Sequence, residues 1–119
     1  MRDGALTARI LNIEATLTRF GGDEQLFREM AAILLDDAPP LAEELKQAVE
    51  RRDAASIRAK AHALKGLVLG CGGERAGQAA QQIEDAGHHA KLEHVDAQFI
   101  ELEQELQQLL AAIRSNVGN

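Results

Sequence analysis

Apolar side chains recur at helical spacing along almost the whole chain. Intervals of three and four residues predict amphipathic helices, whereas strands would alternate apolar and polar residues at every second position. The longest apolar stripe has a seven-residue repeat and consists of Val95, Phe99, Leu102, Leu106, Leu109 and Ile113. Together with the turn residues between the stripes, this pattern predicts four principal helices and a short leading one.

The first two stripes lie on either side of a glycine turn. The short leading helix is predicted from Ile10, Ile13, Leu17 and Phe20. The next helix is predicted from Leu26, Met30, Ile33, Leu34 and Asp37. Gly21 and Gly22 end the leading helix, and Asp23 can cap its successor because a carboxylate can accept a backbone N–H. Pro39 and Pro40 should break or kink that helix, since proline lacks the backbone donor, and the helix then resumes, or a new one starts, at Leu41.

The second half of the chain has turn signals at the ends of its stripes. Asp53 can cap a helix whose inward stripe consists of Ile57, Ala61, Leu64 and Val68. This helix ends at Cys71-Gly72-Gly73, and the following stripe consists of Ala76, Ala80, Ile83 and Gly87. Its small residues permit close approach of a neighbouring helix. The pattern predicts an all-α fold, an antiparallel up-down-up-down four-helix bundle with a short extra N-terminal helix.

Length and composition limit the class of protein. With 119 residues the chain fits a single domain over 1–119, with its core at about 11–113 and a loose tail at 115–119. A net charge of −6 argues against a nonspecific nucleic-acid binder. No apolar run approaches the ~20 residues of a membrane helix, so we expect no direct membrane contact. The single cysteine, Cys71, excludes an intrachain disulfide and favours a cytoplasmic location. We expect a monomer.

One segment carries candidate chemistry. His62, Lys65 and Gly66 stand at i, i+3 and i+4, so they share one helix face. A lysine beside the imidazole disfavours a metal cation but would balance the negative oxygens of a phosphoryl group. Gly66 costs roughly 1 kcal/mol inside a helix, which indicates that it leaves room for another molecule near His62. The alternative is a structural histidine without chemistry.

The same segment predicts a docking surface. The inward stripe brackets His62 without including it, so the imidazole should be exposed on the flank of the bundle. Arg58 lies one turn earlier, and Leu67 and Leu69 add apolar surface nearby. An exposed apolar patch around a reactive histidine suits contact with another protein. Arg58, Gly66, Leu67 and Leu69 are therefore predicted docking residues.

The segment Ala61–Gly66, followed by Gly72, resembles the signature of the histidine-containing phosphotransfer (HPt) domains of bacterial multistep phosphorelays. Further similar segments follow the order of that family, namely Phe20–Leu26, Pro39–Leu41, Arg52–Asp53 and Ile83–Gly87. The resemblance covers about residues 11–113, which is nearly the whole chain.

This resemblance implies that His62 accepts a phosphoryl group from the phospho-aspartate of a response-regulator receiver domain and passes it to another receiver. Lys65 would balance the charge of the phosphoryl oxygens. A hybrid sensor histidine kinase would act upstream, and the chain would be free-standing or the terminal domain of such a membrane-bound kinase. Because the sequence has no glycine-rich phosphate loop, we expect no ATP-dependent kinase activity and no cofactor, with Mg²⁺ supplied by the receiver.

Three positions depart from the family's pattern. Leu67 follows the Lys-Gly pair, where a small or polar residue is usual, and Gly70 stands where asparagine is common. Glu84 stands where some members carry a glutamine that hydrogen-bonds the active histidine, and we count it among the docking residues. A carboxylate there would hold the far N–H of the imidazole, but it would repel a phosphoryl group that came too close.

Two other functions compete with this interpretation. A metal-binding bundle could use the possible ligands Glu84, Asp85, His88, His89, Glu93 and His94. Glu84 and His88 have the spacing of one helix face. Dimetal bundles, however, use Glu-x-x-His pairs, and the sequence contains none, so we expect no metal site. A purely scaffolding bundle is the second alternative.

Overall fold

Four helices make up the fold of the described part of the chain. A computed structural model describes residues 18 and 21–117. The helices are α1 (Glu24–Glu50), α2 (Ala54–Gly70), α3 (Glu74–His88) and α4 (Val95–Val117). Each helix packs against the next one in the chain, and α4 returns to α1, which closes an antiparallel bundle. The all-α prediction is confirmed, whereas the predicted leading helix lies almost entirely outside the described residues.

Two predicted caps explain where α1 and α2 begin. The Asp23 carboxylate accepts the backbone N–H of Leu26 at 3.0 Å. The Asp53 carboxylate accepts the backbone N–H of Ser56 at 3.1 Å and the Ser56 hydroxyl at 2.9 Å. These bonds hold the pKa of Asp53 below its usual value, and the bond from the Ser56 backbone N–H has the larger effect. Both sequence predictions are confirmed.

The core consists of the inward stripes of the four helices. The predicted stripe of α2, formed by Ile57, Ala61, Leu64 and Val68, is completely buried. The predicted stripes of α3 and α4 are also buried. No helix in the described residues is both long and apolar enough to span a membrane.

The predicted stripe of α1 is only partly correct: Leu34 is buried and Met30 packs against the core, but other members of the stripe are exposed. Leu26 is 38% exposed and Ile33 is 45% exposed. The buried positions are instead Phe27, Ala31, Leu34 and Ala38. One residue corresponds to roughly 100° around the helix. The buried face of this part of α1 therefore combines Phe27 and Leu34 with two alanines. Alanine contributes little to a hydrophobic pattern, and the packing of the bundle decides which face is buried.

Of the two predicted outcomes at Pro39 and Pro40, a break or a kink, the break is wrong, because α1 continues through both residues to Glu50. Each proline removes one backbone N–H from the helical ladder. Both prolines lie on the exposed side of α1, where water can bond the carbonyl groups that lose their partners. The buried residues Ala38 and Leu45 on either side remain part of the same core.

Helices α2 and α3 approach each other closely at two glycines. A Cβ atom on Gly87 would lie 2.7 Å from the backbone nitrogen of Arg58 and 2.8 Å from the carbonyl oxygen of Ala54. A Cβ atom on Gly77 would overlap the side chain of Leu69. The predicted small-residue face of α3 is therefore confirmed. These two contacts fix the register in which α3 lies against α2.

Candidate functional site

His62 lies on the exposed edge of α2 that faces α3. Its side chain is 67% exposed, although the preceding residue, Ala61, is completely buried. The Nδ1 atom of His62 lies 2.9 Å from the Oε2 atom of Glu84 on α3. An ionised carboxylate can only accept, so Nδ1 carries the proton in the neutral imidazole. The lone pair is therefore on Nε2, which points away from Glu84.

Lys65 is held by the same carboxylate, one turn further along α2. Its Nζ atom lies 2.8 Å from the Oε1 atom of Glu84 and donates to the Oε1 atom of Gln81 at 2.8 Å. The Gln81 amide in turn donates to Asp85 at 2.8 Å. Lys65 is only 20% exposed, and Glu84 only 15%. The ammonium group is thus already neutralised by Glu84.

Glu84 connects His62 and Lys65, the two predicted site residues of α2. The pKa of Glu84 lies below its usual value, mainly because of the Lys65 contact and further because of the His62 hydrogen bond. Together these outweigh the opposing effect of burial. Glu84 is therefore ionised at neutral pH, with one oxygen for each partner. The contact that a carboxylate at this position was expected to make with His62 is present.

The other predicted site residues surround His62 in different ways. Gly66 is exposed, and a Cβ atom built there would meet no other part of residues 18 and 21–117 within 4 Å beyond the adjoining backbone of α2. Arg58 is exposed on the side of α2 that faces Gly87. Leu69 is 36% exposed, whereas Leu67 is half-buried against the core and leaves less apolar surface than its sequence position suggests.

Sequence reasoning missed Gln81, which holds Lys65. The available signal was its position one turn before Glu84 on the same face of α3. The competing metal cluster is not assembled, because no group of three or more His, Cys, Asp or Glu side chains in the described ranges could hold a metal ion. Glu84 is engaged by α2 instead, and the His88 and His89 rings contact each other edge to face at 4.8 Å.

A four-helix bundle that presents an exposed, oriented histidine has the arrangement that a helical phosphotransfer module needs. The family model of the Hpt domain matches residues 29–115, and the chain belongs to this family. Its members are phosphotransfer intermediates of phosphorelay signalling, not kinases, and they interact with receiver domains and hybrid kinases. The chain accordingly acts in phosphorelay signalling through histidine phosphotransfer.

Two solved structures resemble the fold. Histidine-containing phosphotransfer protein B (HptB) from Pseudomonas aeruginosa PAO1 superposes with a TM-score of 0.85 at 17% identity, over 93% of this chain and 96% of that one. The HPT domain of the Hpt sensor hybrid histidine kinase from Shewanella gives a TM-score of 0.83 at 27% identity, over 95% of this chain and 96% of that one. No curated protein sequence matches the chain.

Proposed function

We propose that His62 is the residue that carries the phosphoryl group. The observation that supports this assignment is the hydrogen bond from Nδ1 to Glu84, which leaves the Nε2 lone pair on an imidazole that is 67% exposed. Nε2 attacks the phosphorus atom of a receiver's aspartyl phosphate. The N–P bond forms as the P–O bond to the aspartate breaks, and the aspartate leaves as a carboxylate.

Glu84 has a further role in this step. When Nε2 gains the phosphoryl group, the ring retains its Nδ1 proton and becomes positively charged. The Glu84 carboxylate stands 2.9 Å from that nitrogen, where it stabilises the imidazolium, as a carboxylate does for a general-base histidine. Onward transfer reverses the same bonds to a second receiver. Lys65 lies on the same helix face, and after it leaves Glu84 and Gln81 its ammonium group balances the phosphoryl oxygens.

We propose the partners and the setting together with this assignment. The docking surface consists of Arg58, Gly66, Leu67 and Leu69, with Glu84 at its edge. A receiver domain supplies the acceptor carboxylate and its Mg²⁺, and a hybrid sensor histidine kinase acts upstream. The chain works as a monomer on the cytoplasmic side, with no cofactor and no ATP-dependent activity of its own.

The test is phosphoryl transfer from a panel of phosphorylated receiver domains, followed as acid-labile, base-stable label. The wild-type protein should gain label from its cognate receiver, and His62→Gln should gain none. His89→Gln, which alters an exposed histidine outside this site, should be labelled like the wild type. Label on His62→Gln at the wild-type rate would refute the assignment. The variant should keep its fold, because an exposed side chain contributes little packing energy.

A further inference from the structure

The charges of α2 are all of one sign. The helix contains Arg58, Lys60 and Lys65 and no acidic residue, although the whole chain has a net charge of −6. Two of these cations are already paired with carboxylates of other helices. Lys60 lies 2.8 Å from Glu44 of α1, and Lys65 lies 2.8 Å from Glu84 of α3.

Arg58 is the cation of α2 whose side chain has no hydrogen bond or ion pair within residues 18 and 21–117. Its position explains this. The residue of α3 that faces Arg58 is Gly87, which has no side chain to pair with it. Gly87 packs closely against the Arg58 backbone: a Cβ atom on Gly87 would lie only 2.7 Å from the Arg58 nitrogen. One turn along the same pair of helices, His62 instead faces Glu84. The guanidinium therefore remains unneutralised beside the reactive imidazole.

The geometry of the helix brings Arg58 and His62 together. Residues at i and i+4 are neighbours on a helix surface, about 5–6 Å apart at Cβ. Side chains on a helix lean toward its N-terminus, so the imidazole of His62 comes over the turn that contains Arg58, and the long arginine side chain can extend back along the helix to meet it. Ala59 occupies the remaining part of that turn and adds almost no bulk. An arginine side chain can reach the oxygens of a group on Nε2 from there.

We propose that Arg58 binds the phosphoryl oxygens of phosphorylated His62 and is the first cation that the incoming group meets. This inference rests on the proposed role of His62 as the acceptor. The planar guanidinium can donate two parallel hydrogen bonds to a phosphoryl group. Lys65, by contrast, must leave both Glu84 and Gln81 before it can do so. Arg58 thus supplies charge without breaking any existing contact.

The test requires no receiver protein, because phosphoramidate phosphorylates histidine chemically. The titration of the phosphoryl group on His62 is followed by ³¹P NMR at about 0.15 M salt, where distant charges are screened. Arg58 favours the dianionic form, so Arg58→Gln should raise the titration midpoint by roughly 0.2 to 0.7 pH units, the range of an exposed ion pair. Arg58→Lys should retain part of the effect.

Arg28→Gln provides the control, because it removes the same charge from an exposed position on α1. Its titration midpoint should equal that of the wild type. Equal midpoints for Arg58→Gln and the wild type would overturn the role of Arg58 while leaving His62 as the acceptor. An equal rise in both arginine variants would overturn it as well, since the effect would then be one of net charge. Absence of phosphate from His62 in the wild type would overturn the proposed function itself.

Discussion

Replacing Glu84 with glutamine isolates the charge that joins His62 to Lys65. The amide oxygen of glutamine can still accept one hydrogen bond, so the substitution preserves shape and removes the negative charge. In the native protein that charge has an imidazole nitrogen at 2.9 Å and an ammonium nitrogen at 2.8 Å. Because Glu84 is 15% exposed and Lys65 is 20% exposed, water screens this ion pair only in part.

The expected loss of stability lies between two known limits. Hydrogen bonds to charged groups contribute ~1.5–3 kcal/mol, and exposed ion pairs contribute about 0–1 kcal/mol. We therefore expect Glu84→Gln to lower the free energy of unfolding by about 1–2 kcal/mol at pH 7. The pKa of Glu84 is lowered in the folded state, mainly by Lys65. Its contribution is therefore complete above the unfolded pKa of ~4.3 and disappears as the pH falls through the lower folded pKa.

Urea unfolding of the wild type and of Glu84→Gln between pH 7 and pH 3 measures this contribution. Both proteins should lose stability in acid, because the pKa values of Asp53 and Asp96 are also lowered, by the Ser56 and Arg52 hydrogen bonds respectively. The difference between the two proteins should shrink toward zero. A difference that stays constant from pH 7 to pH 3 would refute the ionic role of Glu84.

A double-mutant cycle with Lys65→Gln separates the pair from each residue alone. Contacting residues of this kind typically show a coupling energy of ~0.5–3 kcal/mol. Strict additivity of the two substitutions at pH 7 would contradict the ion pair. Glu93→Gln serves as the control, because it removes a carboxylate from an exposed position in the loop after α3. This substitution should change the free energy of unfolding by less than about 0.5 kcal/mol.

Three further substitutions test the rest of the site. Lys65→Ala should slow phosphoryl transfer at saturating receiver by ~10-fold or more, since a contribution of ~1.4 kcal/mol in the transition state corresponds to that factor; an unchanged rate would reject its role. Gly66→Leu should keep the melting temperature and lose transfer, because the space at Gly66 is open among the described residues and the proposed partner would need it; full activity would reject steric access. Gly87→Ala should destabilise the protein by ~1–3 kcal/mol in urea unfolding, because its methyl group would meet the Arg58 backbone; unchanged stability would show that α2 and α3 can separate freely.

The parts of the fold that depend on residues close together in the sequence could be predicted from the sequence. Asp53 caps α2 through a bond to a residue three positions later, and the buried stripe of α2 has four aliphatic members at regular spacing. The phase of α1 could not be predicted in this way. Two of its buried positions are Ala31 and Ala38, which carry almost no hydrophobic signal, whereas the larger Ile33 remains exposed.

The site, too, could be predicted only as far as it depends on residues within a single helix. The exposure of His62 followed from the phase of its own helix, and the two residues of α2 that should act together were identified by their spacing. The neutralisation of Lys65 could not be predicted, because it depends on which residue of α3 lies opposite. That residue is decided by the register between two helices, and no local pattern specifies the register.

Two glycines without functional groups therefore determine the chemistry of the site. Gly87 admits the Arg58 backbone and Gly77 admits the Leu69 side chain, one on each side of the His62–Glu84 contact. A slip of one helical turn, ~5.4 Å, would bring position 81 or position 88 near His62 in place of Glu84. Gln81 at this place would orient the His62 imidazole without balancing the charge of the imidazolium. His88 at this place could not balance that charge either. The close packing of α2 on α3 is thus what supplies a carboxylate at the right nitrogen.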